Sequence, residues 1–429
     1  MSKLEVDTIA PQSGTTVTLG EAGDTVTVPS GATLDTSNST VTLPDGSVTN
    51  AKLANSAITL NGNSVSLGGS ASIASGMFRN IIINGDMSIS QRGTSFTGLG
   101  DTNSQYTLDR FKWVEEGATD TAEYTVSQST TVPSGQGFAK SLKVDCTTAD
   151  TSIDADNIQY IGTAIEGQNL QYLKYGTSNA ESTILSFWVR SNKTGTYGVA
   201  LISNDSTEYL YSQTYTINSA DTWEKKTLTF VGDTSANFDN DNGNSLLIQW
   251  YLVAGTNKSS GSSQTWGSYT QANRAAGQTV NLADSTSNEW YITGVQLEAG
   301  TSASDFEFLP VDVNLQRCQR YYYALLNTGE NDNYFLSGYY YTGSFIYCHT
   351  EFPTQMRASP SLVQGSGTDY YTFYSNGSGD GFDSFNYNIT FLTRNATFGN
   401  NSQVSGTGGN AGRVYSTNTN SYVHFNAEL

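Results

Sequence analysis

The side chains this sequence offers most freely for recognition are aromatic: 26 Tyr, 18 Phe and 6 Trp stand among 429 residues. A flat ring with a polar edge can stack on the apolar face of a sugar while its hydroxyl bonds the sugar's rim. The last 119 residues hold 14 of the Tyr and 9 of the Phe. On any strand only alternate residues can face the core, so that many rings exceed what a domain of roughly a hundred residues can bury. Tyr339, Tyr341, Tyr370 and Tyr374 stand beside Ser, Asn, Gly and Asp and are the candidate receptor or glycan contacts. Trp266 joins them, because Gly261-Ser-Ser-Gln-Thr-Trp-Gly-Ser-Tyr269 reads as a polar loop. Trp113, Trp188, Trp223, Trp250 and Trp290 sit inside apolar strand patterns and read as core.

Groups suited to covalent or acid–base chemistry are scarce. There are two His, and His349, in an alternating strand, reads as a packed residue. No Gly-x-Ser-x-Gly elbow, phosphate loop or His cluster occurs. A glycosidase needs only two carboxylates, and 39 acids are present, yet no pair is singled out. The expectation is a protein without catalytic residues, cofactor or metal. Cys146, Cys318 and Cys348 are an odd, widely spaced set that fits neither a disulfide framework nor a zinc site, so free thiols are expected. The net charge of −19 argues against nucleic acid as a partner. No run of 18 apolar residues is present, so no membrane insertion is expected. The opening residues lack a basic stretch followed by an apolar one, so assembly in a cytoplasm is expected.

The elements that must position these residues are strands. Hydrophobic residues are 37% and charged residues 14%, both low, with 42 Gly. Such a chain favours strands and turns over helices, and the fold class expected is all-β. Residues 1–75 contain no aromatic side chain. Short alternations recur there at 16–19, 25–28, 40–43 and 64–67, separated by Gly and Pro. The segment has too few bulky side chains for a private core, so it is either disordered or wraps around copies of itself, and its repetition favours the second, a β-rich fibre. Residues 76–309 form a jelly roll or β-sandwich, with strands at 183–190, 223–231, 246–253 and 290–298 and an opening strand at 78–87. Residues 310–326 are a helical linker, in which Val311, Leu315, Cys318, Tyr322 and Leu325 are spaced 4, 3, 4, 3 as a trimer seam. Residues 327–429 form an antiparallel β-domain.

Several motifs resemble those of tailed phages. The run from Lys3 to Gly20 resembles the opening of structural proteins of marine tailed phages, and Leu43 to Ile58 is similar to fibre shafts. The order Ile83-Asn-Gly-Asp86, Asp109-Arg-Phe-Lys-Trp113, Leu185-Ser-Phe-Trp-Val189, Thr222-Trp-Glu224 and Tyr291-Ile-Thr-Gly-Val-Gln-Leu-Glu298 is similar to the jelly-roll family of carbohydrate-binding modules. It is closer still to a domain of phage tail-fibre proteins. Arg317-Cys-Gln-Arg-Tyr-Tyr322 resembles a junction in such fibres, and Met356 to Leu362 a segment of their distal domains. The resemblance implies a homotrimeric tail fibre, on the virion, that attaches to host-cell glycan. Residues 1–20 would bind a phage tail or adaptor protein, and the distal domain a host surface polysaccharide or outer-membrane receptor. A head fibre or capsid decoration protein is the alternative, and a polysaccharide depolymerase the next. Some related modules hold calcium between the first and last strands. Asp86 matches the first acid, but Thr293-Gly294 replaces the other, and Glu298 lies further on. The loop Asp239-Asn-Asp-Asn-Gly243 fails the EF-hand spacing and reads as a solvated turn.

Overall fold

The computed structural model describes residues 6–37, 40–43, 47–49, 53–60, 63–69, 78–100, 104–117, 121–205, 207–262, 264–330 and 333–429. The chain divides into two compact units, Met1–Ile73 and Ala74–Leu429. The first five residues of the expected anchor and the turn at 44–46 lie outside the described residues.

In the first unit, the described residues form one antiparallel hairpin, β1 (Ala57–Leu60) with β2 (Asn63–Ser66), in which Ile58 faces Val65. The alternations at 16–19, 25–28 and 40–43 form no ladder within the single chain. An isolated strand has nothing to satisfy its backbone N–H and C=O groups, so the repeats do not become strands one chain at a time. Val17, Leu19, Val26, Val28, Leu34, Val41 and Leu43 all stand exposed.

The second unit is all-β. Its first part contains β3 (Ser95–Leu99), β4 (Gln105–Tyr106), β5 (Lys112–Glu116), β6 (Glu123–Ser129), β7 (Ser141–Thr148), β8 (Ile158–Glu166), β9 (Thr183–Ser191), β10 (Gly195–Ser203), β11 (Tyr209–Ile217), β12 (Glu224–Phe230), β13 (Asn244–Ala254), β14 (Gly267–Ser268) and β15 (Glu289–Ala299). They make two antiparallel sheets, β14-β11-β10-β13-β8-β5-β4 and β12-β9-β15-β7-β6-β3. Alternation decides which side chains meet between them. Leu185, Phe187 and Val189 of β9 point inward and are fully buried. Phe187 meets Trp250 of the opposite sheet at 6.0 Å, and Trp113 meets Tyr124 at 4.6 Å. Trp113, Trp250 and Trp290 are core, as expected. Trp188 and Trp223 are half-buried on the outer side instead.

The expected opening strand at 78–87 is not a strand. Its apolar run lies beside β15, with Ile81 N–H bonded to Leu297 O and Val295 N–H to Gly85 O. The backbone bends at Asn84 and Met87, both with positive φ. Asn84 pins the bend from inside, donating to Ile89 O and Asp109 O and accepting from Ile89 N–H. A Cβ on Gly85 would stand 2.0 Å from Val295 O, so only glycine allows this approach.

The helix is shorter than expected. It runs Val311–Gln319, and Tyr322–Leu326 is strand β16. The 4-3-4-3 spacing therefore does not continue as a helical seam. Val311 is 69% exposed, Leu315 is half-buried, and Cys318 is buried within this chain. Tyr322 and Leu325 lie on the strand, where aromatic residues find a ready partner in β25 (Val423–Asn426). The helix face turned inward is Asn314 with Cys318. Asn314 donates to Asp86 Oδ1 and Ser88 Oγ, a polar anchor that an apolar-spacing search passes over.

Beyond it come β17 (Tyr334–Thr342), β18 (Phe345–Glu351), β19 (Ser361–Gln364), β20 (Tyr371–Ser375), β21 (Ser378–Phe382), β22 (Tyr387–Phe391), β23 (Asn395–Asn400) and β24 (Ala411–Ser416). The small sheet β16-β25-β19 and the sheet β21-β20-β24-β17-β18-β23-β22 enclose a core of Phe373, Phe382, Phe385, Phe398 and Phe425.

The boundary expected near 310–326 does not separate two compact units. Glu428 reaches back to ion-pair with Arg92 at 2.9 Å and with Arg110. The Arg110 guanidinium lies 3.5 Å from the Tyr321 ring, and that of Arg92 3.5 Å from the Tyr322 ring. Arg320 grips both oxygens of Glu166 at 2.7 Å. Arg357 donates to Ala427 O and to Asn242 O.

His424 sits at this junction, with Nδ1 2.6 Å from Tyr322 Oη. Burial first, and the charge of Arg92 second, lower its pKa to about 4. A base whose folded pKa is depressed takes up its proton more readily when unfolded. Stability is therefore complete above about pH 6.5 and falls as pH drops towards about 4, by roughly 3 kcal/mol for this one group. A Tm series across this range should show the slope, and His424→Gln should flatten it. A parallel slope in both proteins would remove His424 as the cause.

The three cysteines are buried. No helix among the described residues is long and apolar enough to cross a membrane.

Candidate functional site

The outer face of the large C-terminal sheet is the candidate site. Strand register lays two rows across it. One runs Ala411–Tyr339–Tyr347–Gly399–Tyr387, over β24, β17, β18, β23 and β22. The next runs Tyr374–Arg413–Ser337–His349–Thr397–Thr390. Residues two apart on one strand share a face, so Ser337 and Tyr339, Tyr347 and His349, and Thr397 and Gly399 tie the rows together. The intervening residues Tyr340, Ile346, Cys348 and Phe398 point into the core.

Five rings make a continuous surface. Tyr341 stacks on Tyr347 with centroids 4.6 Å apart and planes 3° from parallel. Tyr339 meets Tyr347 edge-on at 5.8 Å. Phe345 joins Tyr347 at 4.6 Å and Tyr387 at 4.8 Å. Glycine at 399 leaves a hollow in the first row, and a Cβ there would stand 1.8 Å from Ile346 O. The Phe345 ring lies over that hollow, 3.6 Å from the position such a Cβ would take. Tyr341 is 56% exposed, Tyr339 44% and Tyr387 40%. Rings this open are unusual on a surface with no covering element. The platform is rigid as well as open, because each ring is held by its neighbours and by the strands below.

Polar groups border the rings. His349 Nδ1 lies 3.2 Å from Thr397 Oγ1 on the open side of the sheet. His349 is thus exposed, not packed as its alternating strand suggested. Arg413 lies 4.0 Å over the Tyr334 ring, which contacts Tyr415 at 5.2 Å and Tyr374 at 6.5 Å. Desolvation, then the phenols of Tyr341, Tyr387 and Tyr339, raise the Tyr347 hydroxyl's pKa. It stays a neutral donor and acceptor at physiological pH. Neither row contains Asp or Glu.

Among the residues expected from sequence, Tyr339 and Tyr341 belong to the five-ring surface, and Tyr374 lies on the same face beside Arg413. Tyr370 is half-buried against the C-terminal core. Trp266 is not on this face: it packs on the jelly-roll core, its indole N–H donates to Val231 O at 2.7 Å, and its ring edges meet Tyr175 and Tyr211. Sequence reasoning did not single out Phe345, Tyr347, Tyr387 or Arg413. The alternation Phe345-Ile-Tyr-Cys-His349 carried a usable signal, since it puts Phe345, Tyr347 and His349 on one face.

A second opening lies on the outer side of the jelly roll's seven-stranded sheet. It measures about 340 Å³ and is lined by Tyr106, Lys112, Glu116, Tyr160 and Gln249. Arg274 pairs with Glu116 at 2.6 Å beside it, and Tyr106 donates to Leu429 O at 2.5 Å, so the chain itself covers one end. Asp86 and Glu298 are occupied within the protein, by Ser88 and Asn314 and by Ser304 and Gln296 respectively. Asp241 caps its own turn at Gly243 N–H. No group of three or more potential metal ligands occurs among the described residues.

No protein-family model matches the chain, and no curated protein matches it in sequence. Solved structures similar over about half of it include the following three. One is the enzymatically active domain of tailspike protein 4 from bacteriophage CBA120, at 14% identity and TM-score 0.28, covering 52% of this chain and 22% of the tailspike. The match thus spans about a fifth of the tailspike's own length. A family 4 carbohydrate-binding module matches at 12% identity and TM-score 0.26, covering 51% of this chain and 98% of the module. A putative sugar binding protein from Bacteroides thetaiotaomicron matches at 11% identity and TM-score 0.28, covering 52% and 100% of the two chains.

Proposed function

We propose that this chain is a glycan-binding attachment protein: a homotrimeric phage tail fibre whose distal sheet contacts a host surface polysaccharide or outer-membrane receptor. The observation that carries the reading is the open five-ring surface of Tyr339, Tyr341, Phe345, Tyr347 and Tyr387, bordered by His349, Thr397 and Arg413. Flat rings match the C–H faces of pyranoses, and the hydroxyl, imidazole and guanidinium groups match their rims. The two rows themselves present rings, hydroxyls, an imidazole and a guanidinium, groups suited to holding a glycan. Binding per site is weak, and three copies per fibre raise avidity by about 10²–10⁴. A panel of immobilised polysaccharides tests the reading. Binding to at least one, lost on substitution of the platform rings, is expected; a panel that the intact protein ignores contradicts it.

The uncovered apolar side chains of residues 6–43 support trimerisation. Threefold wrapping covers them and supplies the missing ladder partners, and residues 1–20 then bind a phage tail or adaptor protein. Light scattering should give three times the chain mass for the intact protein and a lower mass without residues 1–75. A monodisperse, folded single chain at full length would reject this assembly.

A further inference from the structure

Among the described residues, Arg317 is a cation without an ion-pair partner. It lies on the helix Val311–Gln319, where the described residues offer its guanidinium no ion pair, and its Nη1 is buried without a hydrogen-bond acceptor. Arg92, Arg110, Arg190, Arg274 and Arg320 all reach carboxylates. Arg317 opens into a cleft of about 500 Å³, the size of a small-ligand site. The cleft is walled by Phe78, Tyr172, Gln168 and Asn169 and bordered by Arg320. No Asp or Glu lines it, in a chain that carries 39 acids. The Phe78 ring is 51% exposed and Tyr172 49%. The Arg317 guanidinium lies 5.7 Å from the Phe78 centroid.

Neighbouring charges do not satisfy Arg317. Glu166 is buried and spends both oxygens on Arg320. Glu307 accepts the backbone N–H groups of Phe78 and Asn80 at 2.8 and 2.9 Å. Burial lowers the Arg317 pKa, the sign of a cation short of counter-charge, and a guanidinium remains protonated even so. Leaving a buried charge uncompensated is costly, so a carboxylate arriving through the cleft supplies the missing counter-charge.

We infer that this cleft binds a carboxylated pyranose, a uronic or sialic acid residue, with the carboxylate on Arg317 and the ring against Phe78 and Tyr172. One guanidinium suits one carboxylate, two rings suit a sugar's C–H faces, and the amides of Gln168 and Asn169 suit its hydroxyls. This site is separate from the tyrosine platform in sequence and in fold, and either assignment can fail alone.

The test uses the full chain. Affinities for the methyl glycosides of glucuronate, galacturonate and N-acetylneuraminate are measured by saturation-transfer NMR, each against its methyl ester. At least one free acid should bind about tenfold more tightly than its ester, because esterification removes the charge that Arg317 recognises. Arg317→Gln should erase that preference, and the same change at the exposed Arg394, Arg394→Gln, should leave it intact. The ester comparison on the unsubstituted chain decides the matter even if Arg317→Gln folds poorly. Equal affinity for acid and ester, no binding of any acid, or a preference that survives Arg317→Gln overturns the inference. So does a fall in oligomeric mass in Arg317→Gln, which would make the guanidinium a contact to another copy of this chain.

Discussion

Tyr347→Ala is expected to weaken glycan binding by about a hundredfold, more than any other single substitution on the sheet. Tyr347 is the hub of the platform. It stacks flat on Tyr341 and meets both Tyr339 and Phe345 edge-on. Removing it takes away one ring and frees three others from their fixed orientation, so preorganisation is lost along with contact. Tyr347→Phe keeps the stack and should retain most of the binding. Peripheral Tyr374→Ala, beside Arg413, should cost much less. Binding is read on the polysaccharide that the intact protein selects, with a circular dichroism melt to confirm folding. Full binding by a folded Tyr347→Ala protein would remove the platform from the mechanism.

The second large effect is on stability. Glu428→Ala should destabilise the Ala74–Leu429 unit by roughly 3–5 kcal/mol, or about 5 °C in Tm. Glu428 is the shared counter-charge of Arg92 and Arg110 where the C-terminal sheets meet the jelly roll. Arg110 is almost fully buried and also lies flat on Tyr321. Deleting the carboxylate leaves two guanidinium groups buried without it, and that residual charge sets the cost. Replacing the pair together, Arg110→Met with Glu428→Leu, should cost less than Glu428→Ala alone, because the only guanidinium left without Glu428 is that of Arg92, which keeps Asp109 at 3.8 Å. A double variant as unstable as the sum of its parts would show that shape, not charge, seals this junction.

Much of the fold can be read from alternation. The strands expected at 183–190, 223–231, 246–253 and 290–298 lie within a residue or two of β9, β12, β13 and β15. Their inward and outward faces follow the period of two, as Leu185, Phe187 and Val189 show. The opening run at 78–87 failed because, beside its two backbone bonds to β15, the Asn80 and Asn84 side chains take the place of a regular ladder, and local apolar pattern cannot show that. The heptad failed for a related reason. Its apolar positions are real, but the helix turns its polar Asn314 inward and stops where β25 offers Tyr322 a strand partner. The site was half legible. An excess of Tyr and its place along the chain pointed to Tyr339 and Tyr341. Which rings join them depends on cross-strand register, and on the bulge that sets Thr342 opposite Phe345. Neither is a local property of the sequence. Trp266 misled because a polar loop can still fold a single indole back onto a core.

The most direct measurement is hydroxyl-radical footprinting of the intact protein with and without its bound polysaccharide, resolved at single aromatic residues by mass spectrometry. Protection should concentrate on Tyr339, Tyr341, Phe345, Tyr347 and Tyr387, with Trp266 and Tyr370 unchanged. Protection confined to the jelly roll, with those five rings as reactive as in the free protein, would contradict attachment through the distal sheet.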